Sequence, residues 1–259
     1  MKPSLCPTAP TATESIGTLV NAFGGRYYRI AHADRLPTFF MNLVSSSDLW
    51  LFLASNGGLT AGRIDAEHAL FTYQTVDRIY DSAGINGPLT VFRVDTDRGE
   101  ILWEPFTRRT ADHAALVRNL YKSVEGDRVW FEEINPDLGL VFRYGWSTSE
   151  QHGFVRRCEL ENLTDQPRRV RVLDGLRNVL PTGIPLVLQS GSSCLADAYK
   201  TAELLSDTSL AVYALAAAIV DRAIPLESLR ASAVCSEGLP GAITLLSDRQ
   251  VGKYYENRA

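Results

Sequence analysis

Carboxylates, histidines and tryptophans are the residue types through which this chain could do chemistry. Asp77, Asp81, Glu132, Glu133 and Asp174 stand near the ends of predicted strands. Two carboxylates held across a scissile bond serve as acid and base or nucleophile in sugar hydrolysis. Glu132 and Glu133 are neighbours on one strand, so their side chains leave from opposite faces and do not form such a pair. No spacing singles out a dyad, and surface charge or turn capping is the plainer reading of each carboxylate. The histidines are His32, His68, His113 and His152. None stands four residues from another and no H-E-x-x-H occurs, so no metal site is expected. Cys6, Cys158, Cys194 and Cys235 are widely spread without a CxxC pair, and they read as free thiols of a cytoplasmic protein. No serine lies in G-x-S-x-G. Gly24-Gly25, Asn56-Gly57-Gly58 and Gly191-Ser192-Ser193 match neither a dinucleotide fingerprint nor a phosphate loop, and they read as turns. No cofactor and no catalytic residue is assigned.

The aromatic residues carry more. Trp50, Trp103, Trp130 and Trp146 lie on or beside predicted strands, among ten Tyr and ten Phe. An aromatic face stacks on the apolar face of a sugar ring while Asp, Asn or Arg bonds the hydroxyls. The same residues build the core of a large sandwich, which is the commoner use. Charged and aromatic groups gather at Asp77, Arg78, Asp81 and Trp103, and these four are the candidate substrate-binding residues. Arg78 and Asp81, three apart, equally suit a pair with one another.

The elements that must position these residues are short and punctuated. Strands are expected over Tyr27–Ile30, Thr38–Val44, Leu49–Ala54, Ala69–Gln74, Leu89–Asp95 and Ile101–Pro105, with a hairpin turn at Asp95–Gly99. Clean alternation marks Arg128–Glu133, Leu138–Trp146, Phe154–Asn162 and Arg168–Asp174. Ala111–Tyr121 and Ala196–Leu205 carry helix formers, whereas Leu210–Val220 is read as a strand. Short strands spaced by roughly 8–12 residues give an all-β antiparallel sandwich with one or two short helices. Residues 1–20 read as an extended or disordered lead-in, and 21–259 as one domain.

Lys and Arg number 26 against 30 Asp and Glu, a net charge of −4. That balance offers no general attraction for nucleic acid or anionic lipid. The most apolar run, Leu210–Val220, is far below the roughly 20 residues that span a bilayer. Met1–Glu14 lacks the apolar stretch of a secretory signal.

An ordered set of motifs adds a resemblance. Gly25-Arg26-Tyr27-Tyr28-Arg29-Ile30 is followed by Pro37-Thr38-Phe39-Phe40-Met41-Asn42 and by Asn56-Gly57-Gly58. Next come the segment from Phe71 to Asp81 and the segment Phe92-Arg93-Val94-Asp95 through Gly99-Glu100-Ile101-Leu102-Trp103-Glu104-Pro105. Farther on stand Phe154-Val155-Arg156-Arg157 with Leu160-Glu161-Asn162-Leu163-Thr164, then Asp221-Arg222 with Glu227-Ser228-Leu229-Arg230-Ala231. Over Gly25–Gly238 this order resembles the amino-terminal domain of cellobiose phosphorylase-type carbohydrate-active enzymes. Phe39-Phe40 stands where that family has Trp, and Asp97-Arg98-Gly99-Glu100 replaces its tight T-G-E. The resemblance implies a β-supersandwich like galactose mutarotase, an oligosaccharide ligand and a possible homodimer. It also implies an (α/α) barrel that supplies the catalytic residues elsewhere in the protein. The implied role is non-catalytic: supporting the barrel, its oligomer and the edge of a sugar site. Gln250–Ala259 is expected to be a strand at which a longer enzyme has been cut. Two alternatives stand beside this. One is a mutarotase-like sugar epimerase, with His68 or His152 paired with Glu132 or Glu159. The other is a plain carbohydrate-binding module.

Overall fold

A computed structural model of the chain describes residues 17–107, 115–191, 193–217 and 231–256. The described residues are mostly strand, and all their sheets are antiparallel. The largest sheet is built from β1 (Gly17–Ala22), β2 (Gly25–Ile30), β8 (Val117–Ser123), β9 (Val129–Asn135), β10 (Leu140–Ser149) and β11 (Gly153–Asn162), adjacent in that order. Three three-stranded sheets accompany it. They are β3 (Phe40–Leu43), β4 (Leu49–Ala54) and β5 (Leu59–Arg63); β12 (Val170–Arg177), β6 (Gly87–Thr96) and β7 (Gly99–Trp103); and β13 (Lys200–Leu204), β14 (Ala211–Leu215) and β15 (Ala231–Val234). Three short α-helices, α1 (Leu186–Gly191), α2 (Ser193–Tyr199) and α3 (Asp248–Tyr255), and 3-10 helices at Ala33–Arg35, Ala66–His68 and Ile79–Ser82 complete the described elements. No helix among them is long and apolar enough to cross a membrane.

Alternation explains how the layers close. On β10, Phe142, Tyr144 and Trp146 turn to one face with Phe131 of β9 and Leu120 of β8. Met41 and Leu43 of β3, and Leu51 and Leu53 of β4, meet them from the opposing layer, with Phe92 and Trp103 in the same buried cluster. These side chains are nearly all under a tenth exposed. The result is an all-β sandwich, as the strand spacing predicts.

Several elements differ from expectation. The lead-in predicted for residues 1–20 already contains the start of β1, closed onto β2 by a two-residue turn with Phe23 at φ 49° and Gly24 at φ 74°. Residues 1–16 lie outside the described residues. Ala69–Gln74 is no strand: it touches β5 through one bridge, Gly62 to Ala69. Leu70 bonds the backbone of Ala61 and Leu180, and farther on side chains take over: Thr60 donates to the Thr72 carbonyl and the Tyr73 amide donates to Gln189. Leu59–Arg63 is the strand there, disguised by its small and polar residues. Of Ala111–Tyr121, the portion from Val117 is strand, and 108–114 lie outside the description. Ala196–Leu205 divides at Tyr199 into helix and strand. β14 realises the first half of Leu210–Val220; 218–230 are not described. The predicted closing strand is the helix α3. Ser247 accepts from the Gln250 amide, and the Gln250 side chain accepts from the Ser247 amide in return.

Candidate functional site

Glu133 is the first residue to place. Its side chain is wholly buried on β9, yet both oxygens are engaged: Trp103 Nε1 donates at 2.8 Å, the Phe106 amide at 2.7 Å and Arg118 Nε at 2.7 Å. A buried carboxylate is tolerable only when so satisfied. The arrangement fixes the chain that follows β7. Phe106 is held at φ 64°, a left-handed conformation unusual for a bulky residue, by the bond from its amide to Glu133. Its ring then meets Tyr144 edge-on at 5.2 Å.

Tyr144 is 4% exposed. Its ring lies flat on Phe131 at 4.9 Å and under the Arg156 guanidinium at 5.2 Å. Arg156 is anchored in turn by Asp174 at 2.8 and 2.9 Å and by Thr90 at 2.9 Å. Burial pushes the Tyr144 phenol well above its ordinary value, so at neutral pH it is a hydroxyl and not a base. That hydroxyl makes no hydrogen bond among the described residues.

Tyr144 and Phe106 open onto a cleft of about 1090 Å³. This is at the upper end of the roughly 300–1,000 Å³ usual for ligand pockets. Separated segments contribute, among them the loop around Asp34, the turn at Asn56-Gly57, Ala83-Gly84, Glu104–Thr107, the sheet residues about Tyr144, and Arg177. Gly57 needs its glycine twice, for φ 87° and because a Cβ would stand 3.2 Å from the Tyr144 hydroxyl. The carboxylates of Asp34 and Glu104 have no partner among the described residues. Arg177 Nε is buried without a partner, although its Nη2 donates to the Gly84 carbonyl. The cleft therefore concentrates uncommitted acceptors, a hydroxyl and a guanidinium beside aromatic rings.

Of the other strand carboxylates singled out in the sequence, Glu132 and Asp174 are engaged. Glu132, on the other face of β9 as strand geometry requires, accepts from Asn119 and Tyr121 at 2.8 Å and from Arg143 at 2.5 Å. Of the residues proposed from sequence, Trp103 is 2% exposed and belongs to the core, with no face turned to a ligand. Asp77 and Arg78 lie on an exposed loop and Asp81 in the 3-10 helix Ile79–Ser82 that closes it; Arg78 and Asp81 approach to 3.9 Å. That loop continues into Ala83 and Gly84 at the cleft. His68 is held by Asp65 at 2.7 Å, His152 sits in the exposed β10–β11 turn, and no hydrogen bond joins either to Glu132 or Glu159. His113 lies outside the described residues, as do the side chain of Cys194 and all of Cys6. Cys158 and Cys235 are free. Desolvation of its sulfur, with the Asp174 carboxylate beside it, pushes the Cys158 thiol up from its ordinary value. No group of three metal-ligating residues converges among the described residues.

Sequence reasoning missed Asp34, Glu104, Phe106, Tyr144 and Arg177. Glu104 and Tyr144 stand inside segments already read as strands, but nothing in their spacing brings them together. No protein-family model and no curated protein matches the chain.

Proposed function

We propose that this chain is a non-catalytic carbohydrate-binding β domain of a glycoside phosphorylase- or hydrolase-like protein, with the cleft at Tyr144 as its sugar site. One observation carries the reading. The uncommitted hydrogen-bonding groups of Asp34, Glu104, Tyr144 and Arg177 collect in a cleft walled by aromatic rings. A sugar is the ligand class that satisfies both halves: its hydroxyls donate to carboxylates and accept from phenol and guanidinium, and its apolar face suits the half-buried Phe106 ring. Two uncommitted carboxylates, set against Arg177 and an Arg118 already bound to Glu133, disfavour an anionic ligand. The ordered motifs from Gly25 to Gly238 support the association with a catalytic (α/α) barrel.

Titration calorimetry with glucose, cellobiose and β-1,2- and β-1,3-linked oligosaccharides tests it. The expected result is one-to-one binding of at least one member, weakened about tenfold by Tyr144→Phe through loss of one hydrogen bond. A flat trace across the panel contradicts the proposal.

A further inference from the structure

The outer face of the β3–β4–β5 sheet carries a row of rings that the cleft does not use. Alternation sends Met41, Leu43, Leu51 and Leu53 into the core and leaves Phe40, Asn42, Trp50 and Phe52 on the opposite face. Phe40 meets Phe52 at 5.6 Å, Phe52 meets Trp50 at 5.5 Å, and Trp50 meets Tyr73 at 5.9 Å. Phe40 is 40% exposed and the other three are half-buried. The row is one ring wide. Gly62 makes room for it, because a Cβ there would come within 2.4 Å of the Trp50 ring.

Among the described residues Trp50 Nε1 is buried without a partner, and two further polar groups along the row are uncommitted. The Asn42 side-chain amide, opposite Phe52 in register, and the Tyr73 hydroxyl make no hydrogen bond among the described residues. The flanking charges are engaged. Arg63 grips both oxygens of Asp48 at 3.0 and 3.2 Å, His68 sits on Asp65, and Lys122 turns onto the carbonyls of Asn42 and Gly126. Arg63 and Asp48 cancel one another and the ring faces themselves carry no charge, so stacking rather than ion pairing would hold a partner there, which suits a neutral one. The row also begins at the rim of the cleft: Phe40 pairs with Ala54, and their neighbours Thr38 and Ser55 line it.

We propose that the row is a second binding surface, taking a neutral glycan chain whose end lies in the cleft. The proposal rests on the sugar reading of the cleft and extends it from one or two units to a longer chain. Rings supply stacking faces along the chain, and Asn42 and Tyr73 supply hydrogen bonds to its edges.

Calorimetry with linear gluco-oligosaccharides of two and six units, in β-1,2, β-1,3 and β-1,4 linkage, decides it. In one linkage the six-unit chain is expected to bind about tenfold more tightly than the two-unit chain, the scale of one or two stacked rings. Phe40→Ala and Trp50→Ala are each expected to abolish that gain and leave two-unit affinity unchanged. Phe40 is the safer substitution for folding because it is the most exposed of the four, and circular dichroism checks both variants. Equal affinity for both lengths, or a gain that survives both substitutions, overturns the row while leaving the cleft. Six-unit binding lost in Trp50→Ala but untouched by Tyr144→Phe retains the row and overturns the cleft. No binding by any chain overturns both. A proline-rich peptide that binds in a Trp50-dependent way, in place of every glycan, overturns the choice of ligand.

Discussion

Glu133 and Gly145 show how much of the molecule hangs on single positions. Glu133 holds Trp103, Phe106 and Arg118 at once, so its loss releases the loop that carries Glu104 and strips a buried cation of its carboxylate. Breaking a buried pair from one side is costly, and Glu133→Gln is expected to lower stability by about 3 kcal/mol or more in denaturant unfolding. Gly145 works in the opposite sense, by what it lacks. The Trp130 indole lies over it, with Cδ2 2.5 Å from where a Cβ would be, and Phe23 stacks on that indole at 4.3 Å. Gly145→Ala is expected to cost about 1–3 kcal/mol by overpacking, read as a lowered denaturation midpoint. Neither role is written in local sequence. Glu133 looks like one more charged strand residue, and Gly145 like a weakening of a strand. Only the register that sets Trp130 opposite Gly145 reveals the second.

At the level of elements, α3 is the clearest case of structure deciding against pattern. Its C-terminal carbonyls, from Tyr254 and Tyr255, are taken by the Arg93 guanidinium at distances down to 2.7 Å. Arg93 also lies 5.4 Å over the Tyr254 ring, and the Tyr254 hydroxyl donates to the carbonyls of Val91 and Arg171. A cation at a helix C-terminus is favourable on electrostatic grounds. Glu100 bonds both Arg171 and Arg93, and the bond from Arg171 first, then that from Arg93, holds its carboxyl below the ordinary glutamate value. The stability this contributes is fully present above the ordinary glutamate pKa and is lost as pH falls through the depressed folded value. Melting temperatures followed from about pH 7 down to about pH 3 should show Glu100→Gln below wild type at neutral pH, with the gap closing in acid. A gap constant across that range would contradict the assignment. β9 to β12 are legible in sequence from their alternating residue types, although burial does not follow the alternation: β9 is buried on both faces, and β11 and β12 hold no buried residue. Ala69–Gln74 and the closing segment are not, since side-chain acceptors and a distant arginine decide their conformation.

For the whole molecule, the sandwich follows from strand spacing, and the cleft does not. Its uncommitted groups come from positions 34, 104, 144 and 177, and no spacing rule links them until the layers close. Trp103, the most conspicuous candidate in sequence, is consumed by the core, whereas Tyr144 keeps a free hydroxyl at the surface of that same core. Amide chemical shifts of the whole chain, followed during titration with cellobiose and with β-1,2- and β-1,3-linked disaccharides, test the central claim most directly. The predicted result is a saturable shift set confined to the segments of Asp34, Ser55–Gly57, Glu104–Thr107 and Arg177, and much reduced in Tyr144→Phe. Saturable shifts elsewhere with these segments unmoved, or no shifts with any sugar, would contradict it.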